Sequence, residues 1–194
     1  MRSLSTILTF CLFIPVAAIC QQGDPSADTH RHDSTSRVKE SATPKKSIAQ
    51  EAHEQIGNAH IMIFYTAPAV RDRIIWGGLV PYGEVWVTGA HAATSIEFSE
   101  DLKINGKLIA AGKYAFFTIP GKEKWTIILN KNWDQHLTDE YDPADDVVRL
   151  ETAPEPLPTV QERLQYKIIP LADTKGLITI SWEKIKVTLP FELE

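Results

Sequence analysis

From residue 60 to the C-terminus, Pro, Gly, Asn and Asp divide the chain into apolar segments of strand length, and none combines length with the 3.6-residue period of a core helix. Residues 60–65 (HIMIFY) form a buried-strand candidate stopped by Thr66-Ala67-Pro68, and residues 94–98 (TSIEF) alternate so that Ile96 and Phe98 share one face. Residues 102–109 (LKINGKLI) predict a hairpin turning at Asn105-Gly106, a pair that accepts the positive φ angles of a type I′ turn. Further strands are expected over residues 113–119, 125–129, 147–151, 164–168, 177–182 and 187–193, with polar or Pro-bearing turns between them. Residues 45–53 (KKSIAQEAH) fit either a short helix capped by Ser47 or an extended lead-in. Many short strands without alternating long helices place the chain in the mainly β class: an antiparallel β-sandwich or partly closed barrel, with at most one or two short helices.

The N-terminal part has a different character. Arg2 followed by the apolar run at residues 7–19 (ILTFCLFIPVAAI) reads as a signal peptide over residues 1–20, too short to span a bilayer as a helix. Ala18 and Cys20 suit the small-residue pockets of signal peptidase I, which directs the protein to the periplasm or the exterior. The alternative is lipid attachment at Cys20, and Ile19 in front of that cysteine argues against it. Residues 21–46 hold almost nothing apolar and are expected to form a disordered polar spacer, leaving residues 47–194 as a single β-rich domain. The only cysteines, Cys11 and Cys20, lie in the signal, so the mature domain is expected to carry neither a disulfide nor a thiolate metal site. With 20 Lys plus Arg against 25 Asp plus Glu, the chain lacks the basic footprint of a nucleic-acid binder.

Chemistry concentrates in residues 71–94 (RDRIIWGGLVPYGEVWVTGAHAAT), where two Trp, a Tyr, two Arg and a His share a glycine-punctuated stretch. Together with AGKYAFFTIPG (111–121), EKWTIILNK (123–131) and ISWEKIKVTLPFEL (180–193), this segment resembles the domain-of-unknown-function 2911 family of bacterial extracytoplasmic proteins. The resemblance covers residues 55–194 and implies an exported β-rich domain without implying a reaction. Where the family's commoner pattern reads Trp-Arg-Thr-Gly-Ala-Asn, this chain has Trp86-Val87-Thr88-Gly89-Ala90-His91. Any role of that arginine or asparagine is therefore absent here, and His91 brings a titratable group.

The candidate ligand-binding residues are Arg71, Arg73, Trp76, Tyr82, Trp86 and His91: guanidinium groups fork onto carboxylates and phosphates, and aromatic faces pack on rings. The bland alternative is that the same apolar side chains plug one end of the sandwich, with the arginines paired to Asp72 or Glu84. A second constellation in residues 130–146 holds Trp133, Asp134, His136 and Asp139, and His91 with His136 is the candidate pair for zinc or copper, although no ligand spacing announces a site and no cofactor is the default expectation. No Gly-x-Ser-x-Gly elbow, His-Glu-x-x-His, phosphate loop or dinucleotide fingerprint occurs. The expected function is thus a non-catalytic envelope protein that binds a small ligand or a protein partner; the alternative is a hydrolase or metal-dependent enzyme centred near His91 and His136. For processing, the intact mass of exported protein is expected to begin at Gln21, and an acyl adduct on Cys20 would establish the lipid anchor instead.

Overall fold

The computed structural model describes residues 46–194; the expected signal over residues 1–20 and the spacer up to residue 45 lie outside the described residues. Alternating apolar and polar positions give ten strands: β1 (Ser47–Ile56), β2 (Ala59–Pro68), β3 (Ser95–Phe98), β4 (Leu102–Ile104), β5 (Lys107–Ile109), β6 (Gly112–Ile119), β7 (Trp125–Asn130), β8 (Asp146–Thr152), β9 (Glu155–Ala172) and β10 (Lys175–Leu193). They form a six-stranded sheet in the order β1-β2-β3-β6-β7-β8 and a four-stranded sheet in the order β5-β4-β10-β9, with antiparallel pairing throughout. The architecture is an antiparallel sandwich, not closed into a barrel. A 3-10 turn at Pro143–Asp145 is the helical element among the described residues, opened by the Asp142 carboxylate accepting from Ala144 N. No helix among those residues is long and apolar enough to cross a membrane.

Of the segment that fits either a helix or an extended chain, residues 47–53 are strand. β1 pairs with β2 from Ser47↔Pro68 to Ile56↔Ala59, so tertiary pairing overrides the helix propensity of Ala, Gln and Glu. Asn105 and Gly106 take φ of 50° and 75°, as their hairpin requires. The two strands expected over residues 177–182 and 187–193 are one strand, β10. Its buried side chains fall on even positions through Ile178, Ile180 and Trp182, then on odd positions through Val187, Leu189 and Phe191. Register shifts against β9 between Ser181 and Ile185, with Glu183 at φ 53°, supply the irregularity that flips the parity while keeping both halves facing the core. β9 runs far beyond the expected residues 164–168 and tolerates Pro156, Pro158 and Pro170 because it is an edge strand of its sheet.

The inner faces of both sheets meet in one core that includes Ile61, Ile63, Phe116 and Leu129 from the larger sheet and Leu164, Tyr166, Ile180 and Leu189 from the smaller. Four of the chain's five tryptophans join in it. Trp76 and Trp86, from the long β2–β3 connection, pack on Trp125 of β7 and Trp182 of β10: Trp76 meets Trp125 edge-on at 4.9 Å between centroids, and Trp86 stacks on Trp182 at 5.6 Å. A second, smaller core of Val87, Ala115, Phe117 and Ile128 lies on the outer face of the larger sheet, under the β2–β3 connection and Tyr141. Burial on both faces explains why Phe116 and Phe117 of β6 are both inaccessible.

Trp182 is 1 % exposed and Tyr82 39 %. Trp182→Ala is therefore expected to cost about 3–5 kcal/mol of unfolding free energy in urea titrations followed by far-ultraviolet circular dichroism, with a β-type baseline, whereas Tyr82→Ala costs about 1 kcal/mol or less.

Candidate functional site

The β2–β3 connection has no strand of its own, so its conformation is set by a few buried polar contacts. Trp86 exchanges backbone hydrogen bonds with Thr118 of β6, at 2.8 Å and 3.0 Å, and thereby docks the connection on the larger sheet. Thr88 follows, fully buried, at φ 50°. A β-branched residue rarely adopts that conformation, at a cost on the order of 1–3 kcal/mol, and it persists only where its surroundings fix it. Here the Thr88 hydroxyl donates to Trp86 O at 3.1 Å, which makes Thr118 Oγ1, 2.9 Å away, the donor to Thr88. The Thr88 carbonyl accepts from Thr94 Oγ1 at 3.1 Å and from the Tyr166 hydroxyl at 2.9 Å. Gly89 comes next because a Cβ there would lie 2.8 Å from Thr94 Oγ1 and 3.2 Å from Thr66 O. Its carbonyl accepts from Trp86 Nε1 at 3.1 Å, which ties the indole to the turn and holds His91 beyond it at φ 69°.

This turn forms one side of an open cleft of about 320 Å³. Leu79, Val80, Trp86, Val87, Leu137 and Trp182 supply apolar walls, and Lys46, Arg73 and His91 line the same space with no Asp or Glu among the lining residues. His91 Nε2 lies 3.0 Å from Ser47 Oγ, so the first residue of β1 meets the turn here. Arg73 is anchored by donating from Nε to Val70 O at 3.1 Å and from Nη2 to Ala69 O. Its pairing is thus with backbone carbonyls rather than with Asp72 or Glu84.

Of the six candidate ligand residues, the fold brings Arg73, Trp86 and His91 to this cleft. Trp76 packs within the indole cluster, and Tyr82 lies over Gly77, where an added Cβ would come within 2.9 Å of the ring. Arg71, at φ 50°, donates its backbone N–H to Glu162 at 3.0 Å, while its Nε is buried without a partner among the described residues. His136 stands beside the cleft segment through the backbone bridge Ala92↔His136, but its Nδ1 engages Asp139 at 3.0 Å. His60 is stacked on His53 at the β1–β2 hairpin. No group of three or more His, Cys, Asp or Glu side chains gathers as a metal ligand set among the described residues. Sequence reasoning missed Lys46, Ser47, Leu79, Leu137 and Trp182, which reach the cleft from separate parts of the chain; only the fold joins them.

Beneath the turn, the Tyr166 and Tyr65 rings pack at 4.7 Å between centroids, tilted by 57°. Burial pushes the Tyr166 phenol well above the usual tyrosine range, and burial likewise raises Tyr65. A phenol whose folded pKa exceeds the unfolded value near 10.0 binds its proton more tightly when folded, so the stabilisation is complete below that pH and lost as pH rises beyond it. Stability is therefore expected to fall above pH 10 with a slope of up to about 1.4 kcal/mol per pH unit for each buried phenol. Tyr166→Phe is expected to flatten the slope while costing about 1–2 kcal/mol at neutral pH, because Thr88 O loses a donor; urea midpoints across pH 7–11 check both.

Residues 46–191 match the family described as protein of unknown function (domain of unknown function 2911). No curated protein and no solved structure matches the chain. The matched region takes in all but the last three residues of the described domain, both sheets and the cleft included, and the chain belongs to the domain-of-unknown-function 2911 family.

Proposed function

We propose that this is an exported, non-catalytic binding protein of the cell envelope whose cleft takes an organic anion with an apolar body. The observation that carries the reading is the composition of the cleft: indole and aliphatic walls, with Lys46, Arg73 and His91 as its ionisable residues and no carboxylate among the lining side chains. Apolar walls favour a hydrocarbon or ring, and an uncompensated cationic rim favours a carboxylate, phosphate or sulfonate at its edge. The buried hydrogen bonds around Thr88 support this role, because they fix the backbone that presents Trp86 and His91 before any ligand arrives. Export rests on the signal read at residues 1–20, and a protein partner in the envelope is compatible with the same cleft if it presents an acidic, apolar segment.

The probe is 1-anilinonaphthalene-8-sulfonate, which joins an apolar ring system to one anionic group. Its fluorescence is expected to rise saturably with the folded protein, and to weaken as salt screens the cationic rim. Lys46→Gln and His91→Gln are each expected to lower the affinity roughly tenfold, the loss of one polar contact to the anionic group, with unfolding midpoints unchanged. Equal affinity in both variants would rule out the cleft as the site.

A second reading rests on the Ser47 Oγ to His91 Nε2 distance of 3.0 Å, which is hydrogen-bond reach for a nucleophile and its base. In that reading His91 takes the Ser47 proton as the hydroxyl attacks an ester carbonyl, the alcohol leaves with that proton, and water then hydrolyses the acyl-serine. No third group among the described residues orients the imidazole, and this favours binding over catalysis. Turnover of 4-nitrophenyl acetate that disappears in Ser47→Ala would reverse the preference.

A further inference from the structure

A larger groove, about 500 Å³, lies on the outer face of the six-stranded sheet, apart from the cationic cleft. Its floor consists of small side chains from three adjacent strands: Ala49 of β1 stands opposite Thr66 of β2, and Ser95 of β3 stands opposite Phe64 of β2. Phe64 and Glu51, also paired across strands, line it together with Trp133, Asp134 and Gln135 from the β7–β8 connection. Phe64 and Trp133 are each 38 % exposed, although both are large aromatic side chains.

The β7–β8 part of the lining is built in advance. Gln135 is 6 % exposed, its backbone carbonyl accepts from Ala93 N at 3.0 Å, its side-chain amide donates to Asn132 O at 2.7 Å, and its side-chain oxygen accepts from Glu140 N at 3.3 Å. Lys113 Nζ lies 3.8 Å from the Trp133 ring centroid and 5.6 Å from that of Phe64, so one ammonium fixes both aromatic walls. Exposed aromatic rings held in this way are preorganised for a ring-shaped ligand rather than packed away.

The charges around the groove select the ligand. Glu51 and Asp134 line it without an ion-pair partner among the described residues, and the Lys113 ammonium beside both aromatic rings offsets part of their charge, so the groove does not draw in an anion. The cation–π positions of Phe64 and Trp133 already hold the Lys113 ammonium, so a second cation is not favoured there. What remains is a neutral molecule with an apolar face for the aromatic rings and hydroxyl groups for the carboxylates, amides and the Ser95 and Thr66 hydroxyls. We infer that the Phe64–Trp133 groove binds a neutral hexose oligosaccharide: the C–H face of a pyranose packs on an aromatic ring, and vicinal hydroxyls donate to carboxylates and amide oxygens. This site is independent of the anion cleft, since its lining shares no residue with that cleft.

The mature protein, titrated calorimetrically with cellotetraose, maltotetraose and laminaritetraose in turn, is expected to bind at least one of them saturably and to quench or shift its tryptophan fluorescence. Trp133→Ala and Glu51→Gln are each expected to weaken that binding at least about tenfold, Glu51→Gln with an unchanged unfolding midpoint because its side chain is exposed and Trp133→Ala with the β-type circular dichroism retained. His91→Gln is expected to leave it untouched, which separates this groove from the cleft. Absence of binding to all three oligosaccharides, or binding that survives both wall variants, overturns the proposal.

Discussion

The indole cluster ties together three parts of the chain that otherwise share little. Trp125 belongs to the six-stranded sheet, Trp182 to the four-stranded one, and Trp76 and Trp86 to the connection between β2 and β3. The backbone hydrogen bonds of this connection close short turns and isolated bridges, and the two indoles inserted between the sheets add buried area that those turns alone do not provide. The packing has a cost: the Nε1 groups of Trp76 and Trp182 are buried without a hydrogen-bond partner among the described residues. Edge-to-face contacts at 4.9–5.7 Å place ring edges against neighbouring π faces and offset part of that loss.

Where burial is local and periodic, the sequence showed the fold. The Asn105-Gly106 turn, the alternation through Ile96 and Phe98, and the Pro-Gly stop after β6 carry their structural reason within a few residues, and the structure has the corresponding hairpin and strand ends. Two features could not be decided from the sequence for a physical reason. The polar Glu183-Lys184 pair inside β10 looks like a turn, and only pairing with β9 shows that a register shift lets one strand continue through it. Residues 45–53 fit a helix or an extended chain by composition, and the strand conformation of residues 47–53 follows from the β2 hydrogen-bond partners beside them.

The site was legible to the extent that one segment carries it. Trp86 to His91 stood out by composition, and the fold places Trp86 and His91 on a cleft with Arg73. Ser47 and Trp182, which complete that cleft, lie at opposite ends of the domain sequence and have no local feature that marks them. The strained φ of Thr88 is equally invisible in sequence, because nothing about a threonine in that glycine-punctuated segment marks a positive φ until its carbonyl is seen to receive two hydroxyl donors.

The same strained turn separates two concavities of opposite lining on one small domain. Gly89, Ala90 and His91 line the cationic cleft, and Ala92 and Ala93, the next residues, line the groove with the carboxylates. Between them, Thr94 returns the chain to Thr88 through its hydroxyl, so the backbone of this short loop is closed on itself and buried at its base. A loop free to shift would let one concavity's side chains drift into the other and mix their charges. Buried hydroxyl contacts at Thr88, Thr94, Thr118 and Tyr166 prevent that, because moving the loop would strand several polar groups away from water at once. The strain at Thr88 is therefore the local cost of a partition that keeps the basic rim and the acidic groove on separate sides of a single turn.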